Sequence, residues 1–359
     1  MKVRGISVRS DASRCWPQQR TFAGVRRGVA CSAAQRAVLI TGASSGIGRS
    51  SALHFANQGW LVFAGVRRAT DGDALQQQLV GARGQAGGES PGSITPVLLD
   101  VTCPESISKA ATQVRACLAA LGDQPAGQPG LPLPAQLSAL VNNAGKVTLA
   151  PLEFMPAAVF TDQLAVNLVG PMRVTQAFLP LLRPHAPPAQ GQTSARIINI
   201  SSQAGTVALP LFGGYCASKF GLEALSDCLR YELHGQGIDV VCIKPGAVKS
   251  DIWSRAHLAS DEVLDGLPPA VHQLYGRVIQ QIDVASRQAE AKGDSCEEVA
   301  QLIYKAATDA KPRARYFLGQ AATVQMVARR LLPDWLWDRL LLDGLAKRQL
   351  EGGMPKGGA

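Results

Sequence analysis

The chain has 359 residues, 46% hydrophobic and 18% charged, enough apolar material for one large globular domain or two smaller ones. Its net charge of +9 is concentrated at one end: residues 1–36 carry eight Lys and Arg against Asp11 alone, so the remainder is only mildly basic. That distribution argues against nucleic acid as a partner, because a nucleic-acid-binding domain spreads basic charge over a folded face. No apolar run approaches the roughly 18 residues of a membrane span.

Residues 1–35 are Arg-rich, contain Ser and are nearly free of acids, the composition of an organelle-targeting peptide. Small residues suited to cleavage follow from Val29 to Ala34, and the want of an Arg-bearing amphipathic helix favours a chloroplast over a mitochondrial address. Eight cysteines are scattered without a Cys-x-x-Cys pair or a His cluster, so neither structural disulfides nor a metal site is expected.

In chain order, Ala37–Ile40 is a short apolar strand that runs into Thr41-Gly-Ala-Ser-Ser-Gly-Ile-Gly48 and then a helix ending at Gly59. Trp60–Gly65 is a second strand. Strand, glycine turn, helix, strand is the opening of a dinucleotide-binding unit. Gly42, Gly46 and Gly48 allow a tight turn and close approach of a pyrophosphate, and the helix N-terminus offers free N–H groups to it. Gly81–Ser93 reads as a loop. Ile94–Leu99 is a third strand ending in Asp100-Val101, and Glu105–Leu121 a helix. Residues 122–136, rich in Pro and Gly, form a surface insertion, after which Leu137–Val141 resumes as a strand ending in Asn142-Asn143-Ala144-Gly145.

A long helix is expected over Ala157–Leu182, carrying Asn167 and bent at Pro171. A Pro-containing loop (184–193) leads to strand Arg196–Ile200, which delivers Ser201 and Ser202. The helix Gly213–His234 bears Tyr215 and Lys219, and strand Asp239–Ile243 ends in Lys244-Pro245-Gly246. Residues 250–294 read as irregular apart from a polar helix at Ala270–Ala291. Ser295–Ala307 is a helix with Ser295 as N-cap and Glu298 at the capping-box position. Arg315–Leu318 is the seventh strand. Thr323–Gln349 is amphipathic, open to three readings: a cover over the substrate cleft, a subunit contact, or a helix lying on a membrane surface.

Strands alternating with helices imply an α/β Rossmann-type fold, a doubly wound seven-stranded parallel sheet with helices on both faces. A single domain over 36–320 is expected, with 321–359 as a helical extension and flexible tail. Ligands of such sheets bind at the carboxyl ends of the strands. The Gly turn, Asp100, Asn143, Ser202 and Pro245-Gly246 all fall there. Tyr215 and Lys219, four apart, share one helix face, and an ammonium beside a phenol favours the phenolate, which predicts a tyrosine pKa lowered towards neutrality.

These motifs together resemble the classical short-chain dehydrogenase/reductase family from about Ala37 to Ser250, with Val62-Phe-Ala-Gly65 and the apolar C-terminal tail similar to its steroid and retinol branch. The resemblance implies Tyr215 as general acid/base and Ser202 as the hydroxyl that polarises the reacting oxygen. Lys219 would be the ribose clamp that tunes the tyrosine, and Asn167 the holder of a relay water. It implies a cofactor held by Gly42, Ser44, Ser45, Gly46, Ile47 and Gly48. Asp100 and Val101 would take the adenine, Asn143, Ala144 and Gly145 the ribose, and the Val248 backbone the nicotinamide amide. It also implies a homo-oligomer. The second strand is followed by Arg67 and Arg68 with no acid before Asp71, which favours NADP(H), with Arg67 on the 2′-phosphate, over NAD(H). The 151–160 loop, Leu209–Phe212 and Trp253 predict an apolar carbonyl or alcohol substrate. The alternative on the same fold is a cofactor-binding regulatory or scaffold protein.

Overall fold

The computed structural model describes residues 36–86, 92–122, 136–183 and 195–352. The expected targeting peptide, most of the 122–136 insertion and the loop beginning at 184 lie outside them. Seven parallel strands form one sheet: β1 (Ala37–Thr41), β2 (Leu61–Val66), β3 (Ser93–Leu98), β4 (Ala139–Asn142), β5 (Ala195–Ile200), β6 (Ile238–Pro245) and β9 (Arg315–Leu318). Their order across the sheet is β3-β2-β1-β4-β5-β6-β9. A short pair, β7 (Val248–Lys249) and β8 (Asp294–Ser295), stands apart.

The strands are apolar without a break because both faces are covered. In β1, Val38 and Ile40 pack towards α1 (Gly46–Asn57) and α9 (Cys296–Thr308), while Ala37 and Leu39 face α3 (Pro104–Gly122) and α5 (Gly170–Leu182). The period of two in a strand makes that division automatic. Sheet order reverses between β1 and β4, so the crevice of the fold opens between the turn after β1 and the segment after β4.

Five features differ from the sequence reading. Helix α2 (Ala69–Ala86) extends from Gly81 to Ala86 into the stretch that reads as a glycine loop. Among its described side chains only Gly72, Leu75 and Leu79 are buried, and Gly72 is small because Pro96 lies against it. The single helix expected over 157–182 is α4 (Ala157–Leu164), a π-helical turn (Ala165–Val169) and α5. The irregularity falls on Asn167, one turn ahead of Pro171, whose missing N–H lies directly after the π turn in the continuing helix. Helix α7 (Ile252–Asp265) occupies part of the stretch expected to be irregular. It buries only Ala256 and Ser260, too small a stripe to show as an apolar period. Helix α8 (Ala270–Ala291) and the Ser295–Glu298 capping box stand where expected. The amphipathic extension is two helices, α10 (Gln320–Leu331) and α11 (Asp334–Gly352), divided at Leu332-Pro333. Their inner side buries Ala322, Met326 and Trp337 against Val207, while Val324, Val327, Leu331 and Trp335 stay exposed. No helix among the described residues is long and apolar enough to cross a membrane.

Candidate active site

The Gly turn is built for close approach. Gly42 has φ +66°, and a side-chain carbon on it would lie 2.9 Å from the Ala144 Cα. A carbon on Gly48 would lie 2.2 Å from the Gly42 carbonyl. The two loops are tied by Thr41, whose hydroxyl accepts the N–H groups of Asn143 and Ala144, each at 3.0 Å. Asn143 Nδ2 returns to the Thr41 carbonyl at 2.9 Å. The sequence reading takes Thr41 only as part of the motif; its place at the strand end is the signal that marks it.

Helix α1 has no acid in its first turn and no side-chain cap from Ser45, so its N-terminal N–H groups face the crevice without an internal anion. The Ser45 hydroxyl accepts from Arg255 Nη2 at 2.9 Å, which keeps its own O–H available to donate to a ligand. Asp100 holds Thr102 through Oδ1, with Oγ1 at 2.7 Å; its other oxygen, Oδ2, takes no part in these bonds and is an acceptor suited to an adenine amino group. Val101 is buried against Gly170 and belongs largely to the core. Asp71, the first acid after β2, is bound by Arg68 through two bonds of 3.0 and 2.8 Å. Arg67 beside it is exposed and unpaired among the described residues. The Val248 carbonyl accepts the Trp253 indole N–H at 3.1 Å. These groups fit a dinucleotide: open helix N–H donors, an open carboxylate oxygen and an unpaired guanidinium at the right strand ends.

Four predicted residues converge past the ends of β4 and β5. Ser202 follows β5 at the N-cap of a short 3₁₀ turn, its hydroxyl accepting the Ala204 N–H at 3.1 Å and lying close enough to the Tyr215 phenol to lower its pKa. Tyr215 and Lys219 lie on α6 (Gly213–Glu232). The Lys219 ammonium sits 5.6 Å from the Tyr215 ring centre and donates to the Ile200 carbonyl at 2.7 Å. A side-chain carbon on Gly145 would lie 3.5 Å from Asn167 Oδ1 and 4.0 Å from Lys219 Nζ. Asn167 is fully buried; it accepts from the Lys146 N–H and donates to the Lys146 carbonyl, both at 2.9 Å, and reaches Ser218 Oγ at 3.1 Å. The π turn presents this amide, consistent with π turns marking functional positions.

The electrostatics correct one expectation. Burial pushes the Tyr215 phenol up to about 12, with the Ser202 hydrogen bond pulling against it, and no opposing effect comes from Lys219. Burial instead draws the Lys219 ammonium down to about 8. In the free protein desolvation outweighs the phenol–ammonium attraction.

Around Tyr215 lies an apolar cluster of Val147, Leu149, Phe212, Trp253, Ala256 and Ile282. Leu211 and Phe212 of the expected cleft belong to it, whereas Leu152 is 63% exposed. Helices α7 and α8 close this cluster from the side of the sheet's carboxyl edge, and the Ser260 hydroxyl takes the Leu149 N–H at 2.8 Å. Gln203, next to Ser202, hydrogen-bonds Gln325 of α10, so the extension braces the loop that carries Ser202. Nothing in the local sequence signals Arg255, Ser260 or Gln325. Among the described residues no group of His, Cys, Asp and Glu is arranged to hold a metal.

A nucleotide crevice at the sheet's switch point, with Ser, Tyr, Lys and Asn at its inner end, defines a dehydrogenase of the Rossmann class. The short chain dehydrogenase family pattern matches residues 36–260, and the chain belongs to that family. It is 34% identical over 290 residues to the mitochondrial D-beta-hydroxybutyrate dehydrogenase of Mus musculus, covering 79% of this chain and 77% of that one. An NADPH-dependent 3-dehydrocapnine reductase of Ornithobacterium rhinotracheale is 30% identical over 87% of this chain and 98% of its own. Estradiol 17-beta-dehydrogenase 2 of Mus musculus is 31% identical over 86% and 75%. Among solved structures, a short-chain dehydrogenase from Streptomyces avermitilis superposes with a TM-score of 0.61 at 26% identity, covering 90% of this chain and all of that one.

Proposed function

We propose that this chain is an NADP(H)-preferring oxidoreductase that interconverts a carbonyl and an alcohol on an apolar substrate, Tyr215 being the proton donor and acceptor. The observation that carries the reading is the convergence of Ser202, Lys219 and Asn167 around Tyr215, at the edge of the apolar cluster. The bound nicotinamide supplies the hydride exchange with the substrate carbon. The chain supplies everything around it. Tyr215, protonated at neutral pH, gives its proton to the carbonyl oxygen, a contribution of roughly 10²–10⁴-fold. Ser202 donates where negative charge develops on that oxygen, about 10²–10³-fold. Lys219 is placed to take ribose hydroxyls in the crevice. Asn167 fixes the Gly145–Lys146 backbone against α6 and acts as a positioning residue. The apolar lining of α7 and α8 excludes water and selects a hydrophobic substrate. Arg67, with Asp71 withdrawn by Arg68, favours the 2′-phosphate of NADP(H); a relative bearing "NADPH-dependent" in its name agrees.

The test is a screen of NADPH oxidation against apolar ketones and aldehydes, with Tyr215→Phe alongside. The variant is expected to bind NADPH normally and to lose turnover. Persistent turnover in Tyr215→Phe overturns the proton-donor assignment, and NADPH binding without turnover on any carbonyl favours the scaffold reading.

A further inference from the structure

A second cavity, of about 550 Å³, lies behind the turn that follows Ser202. Gly205, Thr206 and Phe220 wall it on one side and the arginines of α10 on the other; none of its lining residues belongs to the cofactor crevice. Its floor is charged. The Lys244 side chain, 1% exposed, pairs with Glu223 at 3.1 Å and donates to the Thr206 hydroxyl at 2.5 Å. Arg315 pairs with the same Glu223 at 2.8 Å and with Asp227 at 2.7 Å, and Asp227 also holds Arg230 at 2.9 Å. Three cations therefore share two carboxylates. At the rim Arg329 is matched by Asp334 at 2.8 Å, whereas Arg330 has no acidic partner among the described residues.

Burying an ammonium costs several kcal/mol, and replacing a buried ion pair such as Lys244–Glu223 as a whole by apolar residues of similar volume is often neutral or stabilising. A surplus of two positive charges around one concavity is therefore poorly explained by stability alone. The lining itself sets four cations against one carboxylate. We propose that this cavity is a binding site for a small multivalent oxyanion, phosphate-bearing or polycarboxylate, held by Arg329 and Arg330 at the rim and by Arg315 and Lys244 at the floor. The guanidinium forks suit such a ligand because each can give two parallel hydrogen bonds to one oxyanion group. The site is independent of the catalytic assignment above.

Isothermal titration at constant ionic strength, with pyrophosphate in one arm and citrate in the other, tests it on the full chain. Wild type should show a saturable step in at least one arm, and the arm that binds identifies the oxyanion. Arg329→Ala/Arg330→Ala should weaken that step at least tenfold, since each charge-assisted bond lost accounts for about tenfold. Both residues lie at the cavity rim, and a melting curve verifies the fold; single Arg330→Glu, which reverses one rim charge, provides a second probe with the same expected direction. Arg67→Ser, which alters the cofactor crevice, should leave the step unchanged. The proposal fails if neither anion binds, if binding survives the rim variants, or if Arg67→Ser removes it.

Discussion

Replacing Lys219 by methionine separates the electrostatic role of this residue from its packing. The stem keeps its volume while the charge disappears. Burial lowers the folded pKa from 10.5 to about 8, so the unfolded chain binds the proton more tightly between those values and stability climbs with pH across that window. At pH 7 the buried charge costs about 3 kcal/mol, of which about 2 kcal/mol is recovered by pH 9.5. The uncharged thioether of Lys219→Met has no such penalty, but it leaves the Ile200 carbonyl without its donor, a loss of about 1–3 kcal/mol. Lys219→Met is therefore expected to match wild-type stability at pH 7 to within about 2 kcal/mol. It should also lack the wild-type rise in stability between pH 7 and 9.5. Urea denaturation of both proteins without cofactor, at half-unit pH steps, measures the difference directly. Tyr215, whose raised pKa destabilises the fold only above about pH 10, is common to both and cancels. Parallel pH curves for the two proteins would refute the argument that the ammonium is buried at a cost. Turnover should fall by roughly 10²–10⁴-fold, because the variant lacks the ammonium proposed above to clamp the ribose.

Two other outcomes follow from the same geometry. Ser202→Ala should lower kcat/KM by about 10²–10³-fold. Because the Ser202 hydrogen bond pulls the Tyr215 pKa down, its loss should move the alkaline limb of the reductive pH profile upward; a limb that stays put means that limb does not belong to Tyr215. Arg67→Ser should raise the KM for NADPH about tenfold while leaving that for NADH nearly unchanged, and an equal effect on both cofactors would mean the guanidinium does not meet a 2′-phosphate.

Much of the fold was legible because its signals are local. Apolar strands bounded by turn residues, the Ser295–Glu298 capping box and the glycine turn each depend on a few neighbouring residues, and each stands where the sequence places it. Helix α2 was missed because its last turns carry Gly81 and Gly84, which read as a loop, and because its buried face includes Gly72, small only to clear Pro96 of β3. Helix α7 was hidden because it buries only alanine and serine. In both, a partner distant in sequence explains the residue, and periodicity carries no record of that partner.

The site divides in the same way. Residue types, spacing and their fall at strand ends determined, from the sequence alone, which side chains to look for: Ser202, Tyr215, Lys219, Asn167 and the Gly42–Gly48 turn. Only the tertiary structure decided their state. Whether the phenol titrates low or high depends on how much water the helices around α6 exclude, and burial raised it where proximity to Lys219 predicted the reverse. Likewise the bracing of the catalytic loop by Gln325, the capture of Asp71 by Arg68 and the charged cavity behind Thr206 arise from how side chains come to rest in the folded chain, up to 122 positions apart. Local pattern names the chemistry because bonding preferences are short-ranged; desolvation and charge balance belong to the assembled volume, and a linear chain does not contain that volume until it folds.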